Sequence, residues 1–250
     1  MLPSQQCIVF DLDGTLAPSK DALSPRMAEL LMKLLVKRSV AIISGGSFEQ
    51  FETQLLSCLD TENDVFQKML LLPTSGAALS RWDAGQWRDV YREMLSADEI
   101  QKITDAITSA TAASGFPVPQ TLYGEPIENR GTQVTFSWFG QHAPLEVKQS
   151  WDSDQSKRKA LVAILAPLLS EFTVRIGGMT SIDITKEGID KAYGIRKTAE
   201  LLSLGLDSIL YVGDALFEGG NDYAAIRLGV ATVRVDSPED TEAVIASWVS

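Results

Sequence analysis

Short apolar runs alternate with amphipathic stretches from residue 7 to residue 72. Cys7 to Phe10, Val40 to Ile43 and Met69 to Leu72 are continuous apolar segments, too short for buried helices and rich in branched side chains, so they predict buried strands. Between them, Ala22 to Lys37 and Phe48 to Cys58 carry apolar residues at helical spacing. Strand, helix, strand, helix, strand is the grammar of a parallel sheet covered by helices. The same rhythm returns near the end, with a helix around Asp190 to Leu202, an apolar strand Ile209 to Val212, a helix after Gly220 and a strand Val230 to Val235. Both stretches are expected to share one α/β, Rossmann-like sheet with helices on both faces.

Between roughly residues 83 and 185 the pattern changes. Gln133, Thr135 and Ser137 alternate with Val134, Phe136 and Trp138, the period of a half-buried antiparallel strand. Phe172 to Ile184 offers two more strands around the turn Gly177-Gly178, and Ala97 to Ala113 and Ser153 to Leu169 read as helices, the second irregular at Pro167. The expected organisation is a catalytic core of residues 1–82 and 186–250 with an α+β cap, residues 83–185, inserted through hinges near Arg81 to Gly85 and Lys186 to Gly188. The apolar face Val134, Phe136 and Trp138 is expected to pack inside the cap, leaving a monomer or a cap-mediated homodimer open.

Charge narrows the partners. With 22 Lys and Arg against 33 Asp and Glu, the formal charge of -11 repels phosphate backbones and anionic membranes, so neither nucleic acid nor a membrane surface is expected as a partner. A small phosphate ester remains open, because local lysines, backbone N–H groups and a metal ion can neutralise it. Only Cys7 and Cys58 are present, which suggests neither a disulfide framework nor a thiolate metal site. No leader-like segment or long apolar span is read, and a cytoplasmic setting fits best.

The candidate chemistry sits at strand ends. Asp11-Leu12-Asp13-Gly14-Thr15-Leu16 directly follows the first apolar run. Two carboxylates there lie at the carboxyl edge of the sheet, where open α/β folds bind ligands, and residues two apart point the same way. Asp11 can attack phosphorus once a metal offsets anionic repulsion, while Asp13 protonates the leaving oxygen and then activates the acceptor. A plain turn would need no such pair. The second strand ends in Ser44-Gly45-Gly46-Ser47 ahead of a helix, where a hydroxyl and glycine N–H groups can hold phosphate oxygens, although Ser47 as a helix cap explains part of this signal. Tyr211-Val212-Gly213-Asp214 again ends an apolar strand in an acid. One carboxylate from each of two strands suits Mg2+, which keeps several waters, so Asp11 and Asp214 are the expected ligands, with Asn221 and Asp222 orienting them or sharing coordination. Asp222 as the start of a helix is the competing account. Lys191, opening a helix, would hold Asp11 ionised and offset phosphoryl charge. The lone His142 is expected to face solvent from a loop.

These pieces, in this order, resemble the haloacid dehalogenase superfamily, and the insertion resembles the large cap of eukaryotic-type phosphomannomutases and related sugar phosphatases. The likeness extends to Ser44 through Glu49, Arg130-Gly131-Thr132, Ile176-Gly177-Gly178, Asp183, Asp190-Lys191, Gly219 through Asp222 and Pro238 through Thr241. It implies an aspartyl-phosphate on Asp11, Mg2+ held by Asp11, the Asp13 carbonyl and Asp214, and a phosphorylated sugar contacted by Arg130, Gly178 and Asp183. One departure bears on the reaction. The mutases follow the R-G-T triplet with further arginines that grip the distal phosphate, whereas Gln133 to Gly140 carries none. Losing two charge-assisted contacts would cost about 3–6 kcal/mol of intermediate retention. Hydrolysis of a phosphosugar is therefore expected ahead of phosphohexomutase activity, with Arg175 or Lys148 as possible replacement cations. A phosphosugar-binding protein without turnover is the third alternative, disfavoured by the complete set Asp11, Asp13, Ser44, Lys191 and Asp214.

Overall fold

The computed structural model describes residues 3–59, 64–117 and 119–250. The chain forms two compact units, Met1–Arg92 with Asp190–Ser250 and, inserted between them, Glu93–Ile189.

The first unit begins with β1 (Cys7–Asp11), α1 (Pro25–Lys37), β2 (Ser39–Ile43), α2 (Phe48–Gln54), β3 (Met69–Leu72), β4 (Ala78–Asp83) and β5 (Gln86–Arg92). Ser24 starts α1 by accepting from the Met27 N–H at 2.9 Å, Pro25 occupies the first helical position, and Met27, Leu30, Leu31, Leu34 and Leu35 form its buried stripe. The second unit holds α3 (Ala97–Ala113), β6 (Ile127–Asn129), β7 (Val134–Ser137), α4 (Leu145–Trp151), α5 (Ser156–Leu168), β8 (Phe172–Ile176) and β9 (Ser181–Lys186). The chain then completes the first unit with α6 (Lys191–Leu202), β10 (Ile209–Gly213), α7 (Tyr223–Leu228), β11 (Ala231–Arg234) and α8 (Pro238–Val249).

The first unit's seven strands run β11-β10-β1-β2-β3-β4-β5. The first four pairings are parallel, and β4 and β5 add an antiparallel edge. Strand alternation sorts the core. Ile8, Phe10, Val40, Ile42, Leu210 and Val212 face a cluster containing Met27 to Leu35 of α1 and Ile245 of α8. Cys7, Val9, Ala41, Ile43, Ile209 and Tyr211 face Ile195 and Ala199 of α6. Asp11 continues the parity of Cys7 and Val9, which aims it at the α6 side.

Residues 83–92, expected from sequence to open the insertion, instead end β4, turn and form β5, whose Gln86–Arg92 pairs with Ala78–Asp83 and so extends the first unit's sheet. The two-residue turn Ala84-Gly85, with φ of 48° and 83°, closes this hairpin. Trp82 and Trp87 meet edge to face with centroids 5.5 Å apart, and Phe66 packs against both.

In the second unit, β6-β7-β9-β8 form an antiparallel sheet. Val134, Phe136 and Trp138 join Ile103, Ile107, Leu161 and Leu165 in its core. The expectation of a half-buried β7 is corrected: Gln133, Thr135 and Ser137 are buried as well. Their polarity is answered locally, since Gln133 Nε2 donates to Thr135 Oγ1 at 2.8 Å, Thr135 Oγ1 donates to Asp183 Oδ1 at 2.8 Å, and Ser137 Oγ lies 3.1 Å from Thr180 Oγ1. No helix among the described residues is long and apolar enough to cross a membrane.

Candidate active site

The site in the first unit is built on three parallel strand ends. β1 delivers a buried Asp11 and, one buried Leu12 later, a partly exposed Asp13. The chain then turns sharply at Gly14, whose φ of 86° closes the bond from its N–H to the Ala17 carbonyl at 2.7 Å. A side chain at Gly14 would place Cβ 2.6 Å from Asp214 Oδ2, so both backbone and space require glycine.

β2 delivers Ser44. Its hydroxyl donates to Asp13 Oδ2 at 3.1 Å and accepts from the Gly46 N–H at 3.0 Å. That bond takes up one of the glycine N–H groups expected to hold phosphate. Ser47 stands at the cap position of α2 but makes no side-chain cap bond. The 74–76 turn braces the loop from below, with Ser75 N–H donating to the Ser44 carbonyl and Thr74 N–H to the Gly46 carbonyl, both at 2.8 Å. Asp13 gathers further donors: the Lys20 N–H at 2.8 Å, Gln50 Nε2 at 3.3 Å and Gln54 Nε2 at 3.4 Å. Gln50 and Gln54 were not singled out in the sequence; their one-turn spacing on α2 was the available signal.

From the α6 side comes Lys191. Asp190 caps this helix by accepting from the Tyr193 N–H at 3.0 Å, which places Lys191 at its first position. Lys191 is only 2% exposed, and its ammonium lies 2.6 Å from both Asp11 Oδ1 and Asp222 Oδ1. Asp222 also receives the Tyr211 hydroxyl and, on Oδ2, the Ala215 N–H at 2.9 Å. It occupies the residue before α7, but its carboxylate makes no cap bond there. Tyr211 is a third residue that sequence reasoning missed, because in an apolar strand it reads as core. Asn221 is half-buried in the same loop.

Charge in this cluster does not balance. Burial raises the Asp11 carboxyl well above its usual range, Lys191 pulls it down, and Asp222 and Asp214 push it up again. Asp214 is raised as well, by burial and then by Asp222. Burial alone would lower Lys191, but Asp11 and Asp222 outweigh it and hold the ammonium above the ordinary lysine range. Asp11, Asp214 and Asp222 offer oxygens within 4.8 Å of one another, against the single ammonium bridging two of them. An all-oxygen, electron-rich donor set with one ammonium against three carboxylates fits a hard divalent cation.

The remaining candidates belong to the second unit. Gly178 lies exposed at the β8–β9 turn, and Asp183 Oδ2 would lie 2.7 Å from a Cβ on Gly177, so turn and carboxylate are neighbours. Arg130 donates from Nε and Nη2 to Glu128 Oε2 at 2.9 and 2.6 Å. His142 is exposed.

The eukaryotic phosphomannomutase profile matches residues 27–249. The chain belongs to this family. Phosphomannomutase of Schizosaccharomyces pombe is 27% identical over 241 residues, covering 94% of this chain and 90% of the relative. The Spinacia oleracea phosphomannomutase is 27% identical over 242 residues, with 93% and 91% covered. Among solved structures, N-terminally truncated, IMP-bound Plasmodium falciparum IMP-nucleotidase superposes with a TM-score of 0.72 at 16% identity, over 98% of this chain and 68% of that one. A haloacid dehalogenase-like hydrolase from Bacteroides thetaiotaomicron gives 0.64 at 14% identity, over 97% and 99%. At such identities these two speak for the fold alone, an α/β sheet covered by helices with an inserted unit, as expected from the sequence.

Proposed function

We propose that this protein transfers phosphoryl groups to and from a hexose phosphate through Asp11, interconverting 1- and 6-phosphates. The observation that carries the chemistry is the buried Asp11 carboxylate on Lys191, two residues before an Asp13 that Ser44 holds from the next strand. Family membership favours interconversion over the hydrolysis ranked first from sequence.

Asp11 attacks phosphorus; the P–O bond to the sugar breaks, the departing oxygen takes the Asp13 proton, and an aspartyl-phosphate forms. The acceptor hydroxyl then returns a proton to Asp13 and attacks the same phosphorus, freeing Asp11. Lys191 faces the charge that develops on the phosphoryl oxygens. Asp222, fixed by three donors, keeps Lys191 aimed at Asp11. Asp11, Asp214 and the Asp13 carbonyl would hold Mg2+, which when bound neutralises phosphoryl charge. Arg130, Gly178 and Asp183 are assigned to the sugar and Gly45 to the phosphate, while Gly46, whose N–H is given to Ser44, shapes the loop.

A second reading, hydrolysis, rests on one observation: Gln133 to Gly140 lacks any arginine or lysine for a distal phosphate. A hexose 1-phosphate with Mg2+ and a catalytic amount of hexose 1,6-bisphosphate separates the two. Formation of 6-phosphate faster than inorganic phosphate supports interconversion; steady phosphate release unaffected by bisphosphate assigns the hydrolase.

A further inference from the structure

The second unit contains a buried ion pair that this chemistry leaves unused. Asp152, in the loop before α5, is 3% exposed, and Arg158, in the first turn of α5, is 4% exposed. Arg158 Nε donates to Asp152 Oδ2 at 2.7 Å and Nη2 to the Asp152 carbonyl at 2.9 Å. The third arm, Nη1, donates to the carbonyl of Gly178 in the β8–β9 turn. Asp152 meanwhile caps α5: its Oδ1 accepts from the Lys157 N–H at 2.8 Å and its Oδ2 from the Arg158 N–H at 3.1 Å, a task that Gln155 at the cap position does not perform.

Such a pair adds little net stability for its burial, yet it defines geometry, because a planar guanidinium can satisfy three acceptors only in one orientation. What it orients is a turn of two consecutive glycines, which would otherwise have wide conformational freedom. The Gly178–Met179 peptide is planar, so anchoring the Gly178 carbonyl on Arg158 sends the Met179 N–H the opposite way. Neither the Gly178 nor the Met179 N–H has a hydrogen-bond partner among the described residues. The Asp183 carboxylate lies against the same turn at Gly177.

We propose that Arg158 is a positioning residue for sugar recognition: clamped by Asp152, it fixes the Gly178–Met179 peptide so that its N–H is presented to an oxygen of the phosphorylated hexose. This rests on the assignment of Gly178 and Asp183 to the sugar. The test is steady-state kinetics of the full chain with Mg2+, comparing hexose 1-phosphate with p-nitrophenyl phosphate, which has no sugar to recognise. Arg158→Lys keeps a cation opposite Asp152 but loses the fork that reaches Gly178. It should raise KM for the hexose phosphate about tenfold, the size of one lost hydrogen bond. Turnover number, and kcat/KM for the aryl phosphate, should stay within about twofold. Asp152→Asn should shift the hexose KM in the same direction by less, and carries the test should the lysine variant lose its cooperative melt. An unchanged hexose KM in a folded variant overturns the positioning role, as does a parallel loss on both substrates. If the wild-type chain turns over only the aryl phosphate, the sugar assignment falls first and the positioning role with it.

Discussion

A single ammonium shared between Asp11 and Asp222 makes Lys191 the residue on which the site's charge turns. Lys191→Met would leave two buried carboxylates facing Asp214 uncompensated, and turnover should fall by at least ~100-fold, a barrier increase of ~2.7 kcal/mol, in steady-state assays. Asp11→Asn should abolish turnover altogether, and intact-mass measurement after incubation with substrate should show no added phosphate; more than about one per cent residual activity argues against Asp11 as nucleophile. The two thiols supply a contrast away from the chemistry. Burial pushes Cys7 from 9.0 up to about 12, while Cys58 is only half-buried. At pH 8 a thiol reagent should label Cys58 and spare Cys7 until the chain unfolds. Because the Cys7 value is raised, its contribution to stability is complete below pH 9 and is lost as pH climbs toward 12. The charged residues of the site were legible because each ends an apolar strand or opens a helix, positions that show in the pattern. Gln50, Gln54 and Tyr211 were not: a polar pair one turn apart resembles any solvated helix face, and their value comes from meeting Asp13 or Asp222 across the fold.

Local signals specified single elements well where caps and periodicity agreed. α3 runs from Ala97 to Ala113 as expected, started by a reciprocal capping box in which Ser96 Oγ accepts from the Glu99 N–H at 3.2 Å and Glu99 Oε2 accepts from the Ser96 N–H at 2.6 Å. Ser96→Ala should cost about 1 kcal/mol in chemical denaturation. The Ser96 amide also holds the Glu99 carboxyl below its usual 4.5, so this support is present above that pH and lost as pH falls through the lower folded value. Glu99→Gln, which does not titrate, should show a flatter acid limb in the same measurement. Elements went astray where tertiary packing decides. The β4–β5 hairpin lies where a hinge near Arg81 to Gly85 was expected, and nothing local says which sheet receives these residues; pairing with β3 and the Phe66, Trp82 and Trp87 cluster settle that. Likewise the polar positions of β7 are buried because partners on neighbouring segments satisfy them, which alternation alone cannot reveal.

For the whole molecule, the unbalanced acidic cluster means that stability and metal are linked. Mg2+ should raise the melting midpoint of the wild-type chain, and EDTA should reverse the gain. Asp214→Asn should melt above metal-free wild type by about 2–4 °C for each ~1 kcal/mol of relieved repulsion, and lose the response to Mg2+. An undiminished Mg2+ response in that variant would place the ion elsewhere. The strand order has a further consequence, which concerns the order in which the chain is made. β1, an interior strand of the sheet, pairs on one side with β2 and on the other with β10, Cys7 meeting Ser39 and Ile209. A ribosome therefore releases the first half of the core long before its other half exists, while the inserted Glu93–Ile189 unit is contiguous and has all its partners as soon as it emerges. The insertion should fold first, and a nascent chain stalled before residue 209 should carry a protease-resistant second unit beside an unfinished sheet, its β1 edge open to mispairing and in need of chaperone cover.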